Sequence, residues 1–157
     1  MLLPESNEWE SHPDLASYLH GTWKSDWELT KAHMIEDCRL TEKETEGLGR
    51  LMGKMTAQYI GLRAIYTMPE IKFIKDGKEH VLDGWVNEGL MEVIGRTSWQ
   101  IAVLVKAATP IFPDSISIIT FVDWDTYWVY LGNSSAAGMH VREYFKRISN
   151  NSPAHVE

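Results

Sequence analysis

The spacing of hydrophobic positions changes period once along the chain, from helical in its first third to alternating afterwards. Ser25-Asp26-Trp27-Glu28 reads as a capping box, in which a serine oxygen accepts from the amide three residues on and a glutamate reaches back. It predicts a helix over about 26–37, with Trp27, Met34 and Cys38 near one face. Thr41-Glu42-Lys43-Glu44 repeats the signature. Leu48, Leu51, Met52 and Met55 then fall at the i, i+3, i+4, i+7 positions of a second helix, with Gly53 as a stop. Residues 37–40 join the two helices.

Everything afterwards reads as strands. Segments 54–60 and 62–67 flank Gly61, while 71–75 and 78–83 flank Asp76-Gly77, a dipeptide suited to the tight turn that matches strand twist. Further strands are expected at 84–87, 90–94, 99–106, 115–122, 126–131 and 139–147, with Asn87-Glu88-Gly89 and Asp123-Trp124-Asp125 among the turns. This is the spacing of an antiparallel meander. Two short helices cannot cover both faces of so many strands, so the sheet must bury one face against itself. The expected fold is therefore mainly β: an up-and-down antiparallel barrel of 8–10 strands with two short helices after the first strand. A two-sheet sandwich is the alternative. Residues 1–18 read as an irregular acidic leader, 19–148 as the barrel domain and 149–157 as a flexible tail.

Composition narrows the partners. The 157 residues suit one domain, and 15 basic against 22 acidic side chains give a net charge of -7, which opposes a phosphate backbone. Nucleic acid is not an expected partner. No apolar run approaches the roughly 20 residues that span a bilayer, so membrane insertion is not expected either. With one cysteine, no Lys or Arg before Lys24 and no apolar segment of secretory length, the expected location is cytoplasmic. Seven tryptophans and six tyrosines stand out. They serve either as strand formers and core filler or as walls of an apolar pocket. Tyr59, Trp85, Trp99, Tyr127 and Trp128 are the candidate wall residues, and their strand parity is open.

Gly21-Thr22-Trp23-Lys24 on a first strand, a helical pair, a long meander and Arg142-Glu143-Tyr144 on the last strand together resemble the calycin superfamily of lipocalin and fatty-acid-binding-protein barrels. The order of elements is similar to the intracellular fatty-acid-binding proteins over roughly 19–148. The resemblance implies a cytosolic carrier of hydrophobic ligands, with the helical pair as a lid. It implies that Arg142 and Tyr144 bind a ligand carboxylate, and that an arginine, Arg142 or Arg147, lies across Trp23 at the closed end. Gly21, Trp23, Trp27 and Arg147 are then structural. Strand alternation puts His140, Arg142 and Tyr144 on one face and Val141, Glu143 and Phe145 on the other. Either set can be the inward one. The chain departs from the family in its acidic leader, its proline-containing loop at 109–114 and the lack of a clear second inward arginine.

Other chemistry has little to stand on. The six histidines are scattered, without the spacing of a metal site, and there is neither a phosphate loop nor a nucleophile elbow. Gly47-x-Gly49 reads as a close-packing device, Cys38 as an inert thiol at a helix end, and Asp123 and Asp125 as turn residues. The expected function is non-catalytic binding of a small hydrophobic or amphipathic molecule, carboxylate-bearing molecules included, by Arg142, Tyr144 and His140 with the aromatic walls. No cofactor is expected. The alternatives are a filled barrel that serves a protein partner or a homodimer, and a haem-binding barrel using His140.

Overall fold

The computed structural model describes residues 18–97, 99–107, 114–130 and 141–149. A first strand β1 (Gly21–Ser25) leads into helices α1 (Trp27–Glu36) and α2 (Glu42–Gly49). The strands that follow are β2 (Thr56–Ile60), β3 (Arg63–Met68), β4 (Ile71–Lys75), β5 (Lys78–Leu82), β6 (Trp85–Arg96), β7 (Gln100–Ala107), β8 (Ser115–Asp123), β9 (Thr126–Tyr130) and β10 (Arg142–Ser149). Eight of them close into an antiparallel barrel in the order β1-β10-β9-β8-β7-β6-β3-β2, and β4 and β5 form a separate hairpin. The expected mainly β barrel with two helices after its first strand is the fold observed.

Local chemistry explains where elements begin and break. Thr41 caps α2 as the sequence pattern requires, its Oγ1 accepting from the Glu44 amide at 3.2 Å. The first capping box is displaced by one residue. Asp26, not Ser25, caps α1 by accepting from Leu29 N at 2.9 Å, because Ser25 is still paired in β1 and its Oγ accepts from Gly53 N at 3.1 Å. Helix α2 stops at Gly49, ahead of the expected end. Gly53 then turns the chain at φ 78°, leaving Met55 outside the helix and against the barrel core. Gly49 does serve close packing, since a Cβ there would lie 2.6 Å from the Trp27 ring.

The largest correction concerns Asn87-Glu88-Gly89, expected as a turn. Strand β6 runs through it without interruption, pairing with β3 on one side and β7 on the other. Gly89 is needed for proximity, because a Cβ there would lie 2.4 Å from the Lys106 carbonyl oxygen. Glycine inside a strand signals close backbone approach as readily as a turn.

Alternation sorts the barrel into two faces. Ala57, Tyr59, Ala64, Met91, Ile101, Val103, Val105, Ile119, Phe121, Tyr127 and Phe145 join Trp23 in the buried core. A second cluster of Met34, Leu40, Met52 and Val141 ties the helices to the barrel, with Trp27 packed against it. At the end opposite the helices, Trp23 is fully buried and donates from Nε1 to the Leu19 carbonyl at 2.9 Å. The Arg147 guanidinium lies 4.3 Å from the Trp23 ring centroid and donates to the carbonyls of Tyr18, His20 and Trp124 and to Asp125 Oδ1. Of the two candidates for this position, the arginine is Arg147. Asp123 and Asp125 form the β8–β9 turn as expected, with Asp123 Oδ1 accepting from Asp125 N at 2.8 Å. Gly21 adopts φ 121°, a conformation that favours glycine.

Arg147→Ala should therefore destabilise the fold by about 3 kcal/mol, since it removes a cation from an aromatic face and leaves partly buried carbonyls without donors. Urea unfolding measures this. A change within the range of an ordinary surface substitution would refute the role of Arg147 as the closure of this end.

Candidate functional site

The register of β10 decides what the barrel encloses. Glu143 is opposite Val129 and Phe145 opposite Tyr127, and both Glu143 and Phe145 are buried. Arg142 and Tyr144 therefore face outward, which corrects the expectation that the guanidinium and phenol project into the hollow. The physical reason is that Phe145 and Tyr127 stack at 5.0 Å inside the core, and period-two alternation then carries Glu143 inward with them.

The barrel core contains linked polar groups. Tyr59 Oη lies 3.1 Å from Tyr127 Oη and 3.5 Å from Tyr66 Oη. Tyr66 is the cross-strand partner of Asn87, which shares the inward parity of Ala64 and Gly89. Asn87 Oδ1 is buried and has no hydrogen-bond partner. On the other side of the tyrosines, Tyr127 feels the charge of Glu143, and Glu143 shares a hydrogen bond with the Ser25 side chain. The three linked phenols, with Asn87 next to Tyr66 in the strand pairing and Glu143 within electrostatic reach of Tyr127, make up the polar belt of the interior. Burial pushes the Glu143 carboxyl up to about 7, only partly offset by the bond to Ser25. Burial also raises the Tyr59 and Tyr127 phenols well above their ordinary value, so both are neutral hydrogen-bonding groups at neutral pH.

The remaining candidate residues are dispersed. Tyr59 and Tyr127 lie in the core, and Trp85 stands at the helix-bearing end of β6, 38% exposed. Trp99, 42% exposed, precedes β7 at the closed end, its carbonyl accepting from Phe121 N at 3.0 Å. Trp128 alternates with Tyr127 and so lies outside, where the Arg142 guanidinium covers its ring at 4.0 Å. Arg142 Nη1 also donates to Tyr144 Oη at 3.5 Å, and Tyr144 N donates to Thr30 Oγ1 of α1 at 3.0 Å. The pair that the resemblance assigns to a ligand carboxylate is engaged in seating α1 on the barrel wall. His140 lies outside the described residues, as does the haem reading that depends on it.

Sequence reasoning missed a second arrangement. His33 Nδ1 is 2.8 Å from Asp37 Oδ2, and His33 Nε2 is 3.4 Å from Cys38 Sγ. The i, i+4, i+5 spacing from His33 is the signal that could have found it. A thiol, an imidazole and an orienting carboxylate in series have the connectivity of a nucleophile relay. Burial and the neighbouring Asp37 charge nevertheless push the Cys38 thiol up, against a smaller opposing effect of Arg142, which keeps it protonated at neutral pH. The relay lacks the thiolate that such chemistry needs. Among the described residues no group of His, Cys, Asp and Glu is arranged to hold a metal ion, and no helix is long and apolar enough to cross a membrane.

Three clefts lined by described residues lie outside the barrel: one between α1 and α2 at Trp27 and Ile35, one between Lys24 and the β4–β5 hairpin, and one at Arg63 and Lys106. No protein-family model, curated protein or solved structure matches the chain.

Two outcomes follow from these environments. Between about pH 4.5 and about 7 the folded protein keeps a proton on Glu143 that the unfolded chain releases. Stability from this group therefore falls as pH rises through that window, by up to about 3 kcal/mol once pH exceeds the folded value. Denaturant titrations across pH should show this slope in the parent and its loss in Glu143→Gln; equal slopes would contradict the buried position of the carboxyl. Alkylation of Cys38 by iodoacetamide at neutral pH should be slower than that of a free thiol. Faster reaction would restore the relay as a nucleophile.

Proposed function

We propose that the protein is a cytoplasmic, calycin-type carrier that binds a small amphipathic molecule within the helix-bearing half of its barrel, without catalysing a reaction. The observation that carries this reading is the unpartnered, buried Asn87 Oδ1 at one end of an interior polar belt. A buried acceptor without a donor costs about 1–3 kcal/mol, and folded proteins retain such groups where water, an ion or a ligand supplies the missing bond. The belt extends this chemistry to Tyr66, Tyr59, Tyr127 and Glu143, across a cross-section that a filled apolar barrel would leave to hydrocarbon.

The division of the interior supports the same reading. Trp23, Phe121 and Phe145 pack around the Tyr127 ring as an aromatic floor, and Ser25 and Glu143 lie on its helix side. A ligand seated there has its apolar part against Val105, Met91 and Trp85 and its polar part against the belt. The order of strand, helical pair and meander, and the Trp23–Arg147 closure, fit a barrel of the calycin kind. A lone cysteine with a raised thiol suits a reducing compartment.

Nile red, a neutral dye that brightens in apolar surroundings, should bind the parent protein with one site per chain. Asn87→Trp, which fills the space above the floor, should abolish that binding while leaving circular dichroism unchanged. Equal binding by a folded Asn87→Trp protein would place the dye on the exterior and favour the filled barrel, whose oligomeric state size-exclusion mass would then report.

A further inference from the structure

The charge of the barrel interior is one-sided, and the distribution of cations over the whole chain makes this a strong constraint. All 15 Lys and Arg residues fall within the described segments, so no lysine or arginine elsewhere in the chain can supply a positive charge to the interior. Twelve of the 15 are exposed. The remaining three are Lys54, Arg142 and Arg147. Lys54 lines the outer cleft beside Lys24 and Lys72. Arg142 faces outward over Trp128, and Arg147 is spent on the carbonyls of the closed end. Set against this is Glu143, 5% exposed and inward-facing, held by the Ser25 side chain and near the neutral Tyr127 phenol.

What the interior lacks is a cationic donor from lysine or arginine. An ionised carboxylate accepts only, the Asn87 amide offers neutral donors beside its open Oδ1, and three phenols hold one proton each, two of which are used among themselves. A carboxylate ligand placed here meets a like charge with no lysine or arginine to offset it. An ammonium group brings three donors and the missing positive charge.

We propose that the ligand of this barrel is an amphipathic amine, its ammonium group paired with Glu143 and its chain lying along the apolar wall above the floor. This rests on the ligand-binding reading and names the class of molecule that reading leaves open. It reverses the polarity that the Arg142 and Tyr144 pair suggests from sequence, because that pair is on the outside. Pairing an inward carboxylate with a ligand ammonium also gives the site a selectivity that area alone does not: an acid of the same chain length is rejected by repulsion and desolvation, and an alcohol gains only a neutral hydrogen bond.

Dodecylamine, dodecanol and dodecanoic acid, titrated calorimetrically below their micelle concentrations at about pH 8, separate the possibilities, since amine and carboxyls are then in their charged forms. The amine should bind at least about tenfold more tightly than the alcohol and the acid. Glu143→Gln should remove that advantage while leaving dodecanol unchanged, and Glu143→Asp should keep part of it. If the Gln variant does not fold, the ranking of the three compounds on the parent protein still decides. Equal binding of all three, or tighter binding of the acid, overturns the amine assignment and leaves the carrier reading standing. Absence of binding by all three, together with no uptake of Nile red, overturns the carrier reading itself.

Discussion

The pairing of β1 with β10 is the constraint on which the rest of this molecule depends. It closes the sheet, sets Trp23 opposite Arg147 and Ser25 opposite Phe145, and so fixes which face of the last strand is inside. Once Phe145 stacks on Tyr127, no freedom remains for its neighbours. Glu143 must enter with it and Arg142 and Tyr144 must leave, since a one-residue slip would exchange every side chain of the strand between core and exterior. Cation, aromatic and carbonyl groups converge at Arg147 to hold this register from the closed end. The Ser25 contact with Glu143 holds it from the other.

The same register joins the two clusters of the fold. Val141 belongs with Met34, Leu40 and Met52 beneath the helices, while Phe145 on the same strand belongs to the barrel core. Tyr144, on the outer face, gives its amide to Thr30, and the Arg142 guanidinium covers Trp128. The outer face of β10 is thus a platform for α1, and its aromatic and cationic residues perform a packing task. A residue pair that looks like anion recognition in one dimension is, in three, a clamp between helix and wall.

Much of the architecture was legible because it rests on short-range rules. The Asp76-Gly77 hairpin, the Thr41 cap, the Asx turn at Asp123 and the alternation of β7 each follow from a few adjacent residues. What failed was what two strands decide together. Asn87-Glu88-Gly89 has turn composition, yet Gly89 is glycine because the Lys106 carbonyl occupies the space of a side chain, a fact held by a strand almost twenty positions away. Ser25 has the chemistry of a cap but is claimed by β1 and by Gly53. The face of β10 was undecidable because Glu143 between Val141 and Phe145 is as awkward inside as Arg142 would be, and only the stacking partner on β9 breaks the tie. His33, Asp37 and Cys38 lie close in sequence and were still missed, since their alignment depends on the helix ending where it does.

The awkwardness of Glu143 is itself informative. A glutamine of nearly the same shape would keep a bond to Ser25 and avoid the cost of a carboxyl whose ionised form is opposed by burial. Leucine would extend the hydrocarbon floor. A carboxyl in this position, with no lysine or arginine facing it, therefore weakens the fold, and such residues persist where function requires a group that stability alone would remove. The requirement cannot be met from outside, because the charge points away from the solvent-facing wall. In the proposed reading a partner carrying hydrogen-bond donors would meet it, and the open Asn87 Oδ1, beside Tyr66 in the β3–β6 pair, would offer a second polar contact. On the ligand-binding reading proposed above, an inward carboxyl would select for the charge and donors of the occupant, whereas the apolar side chains of the core would set only its size.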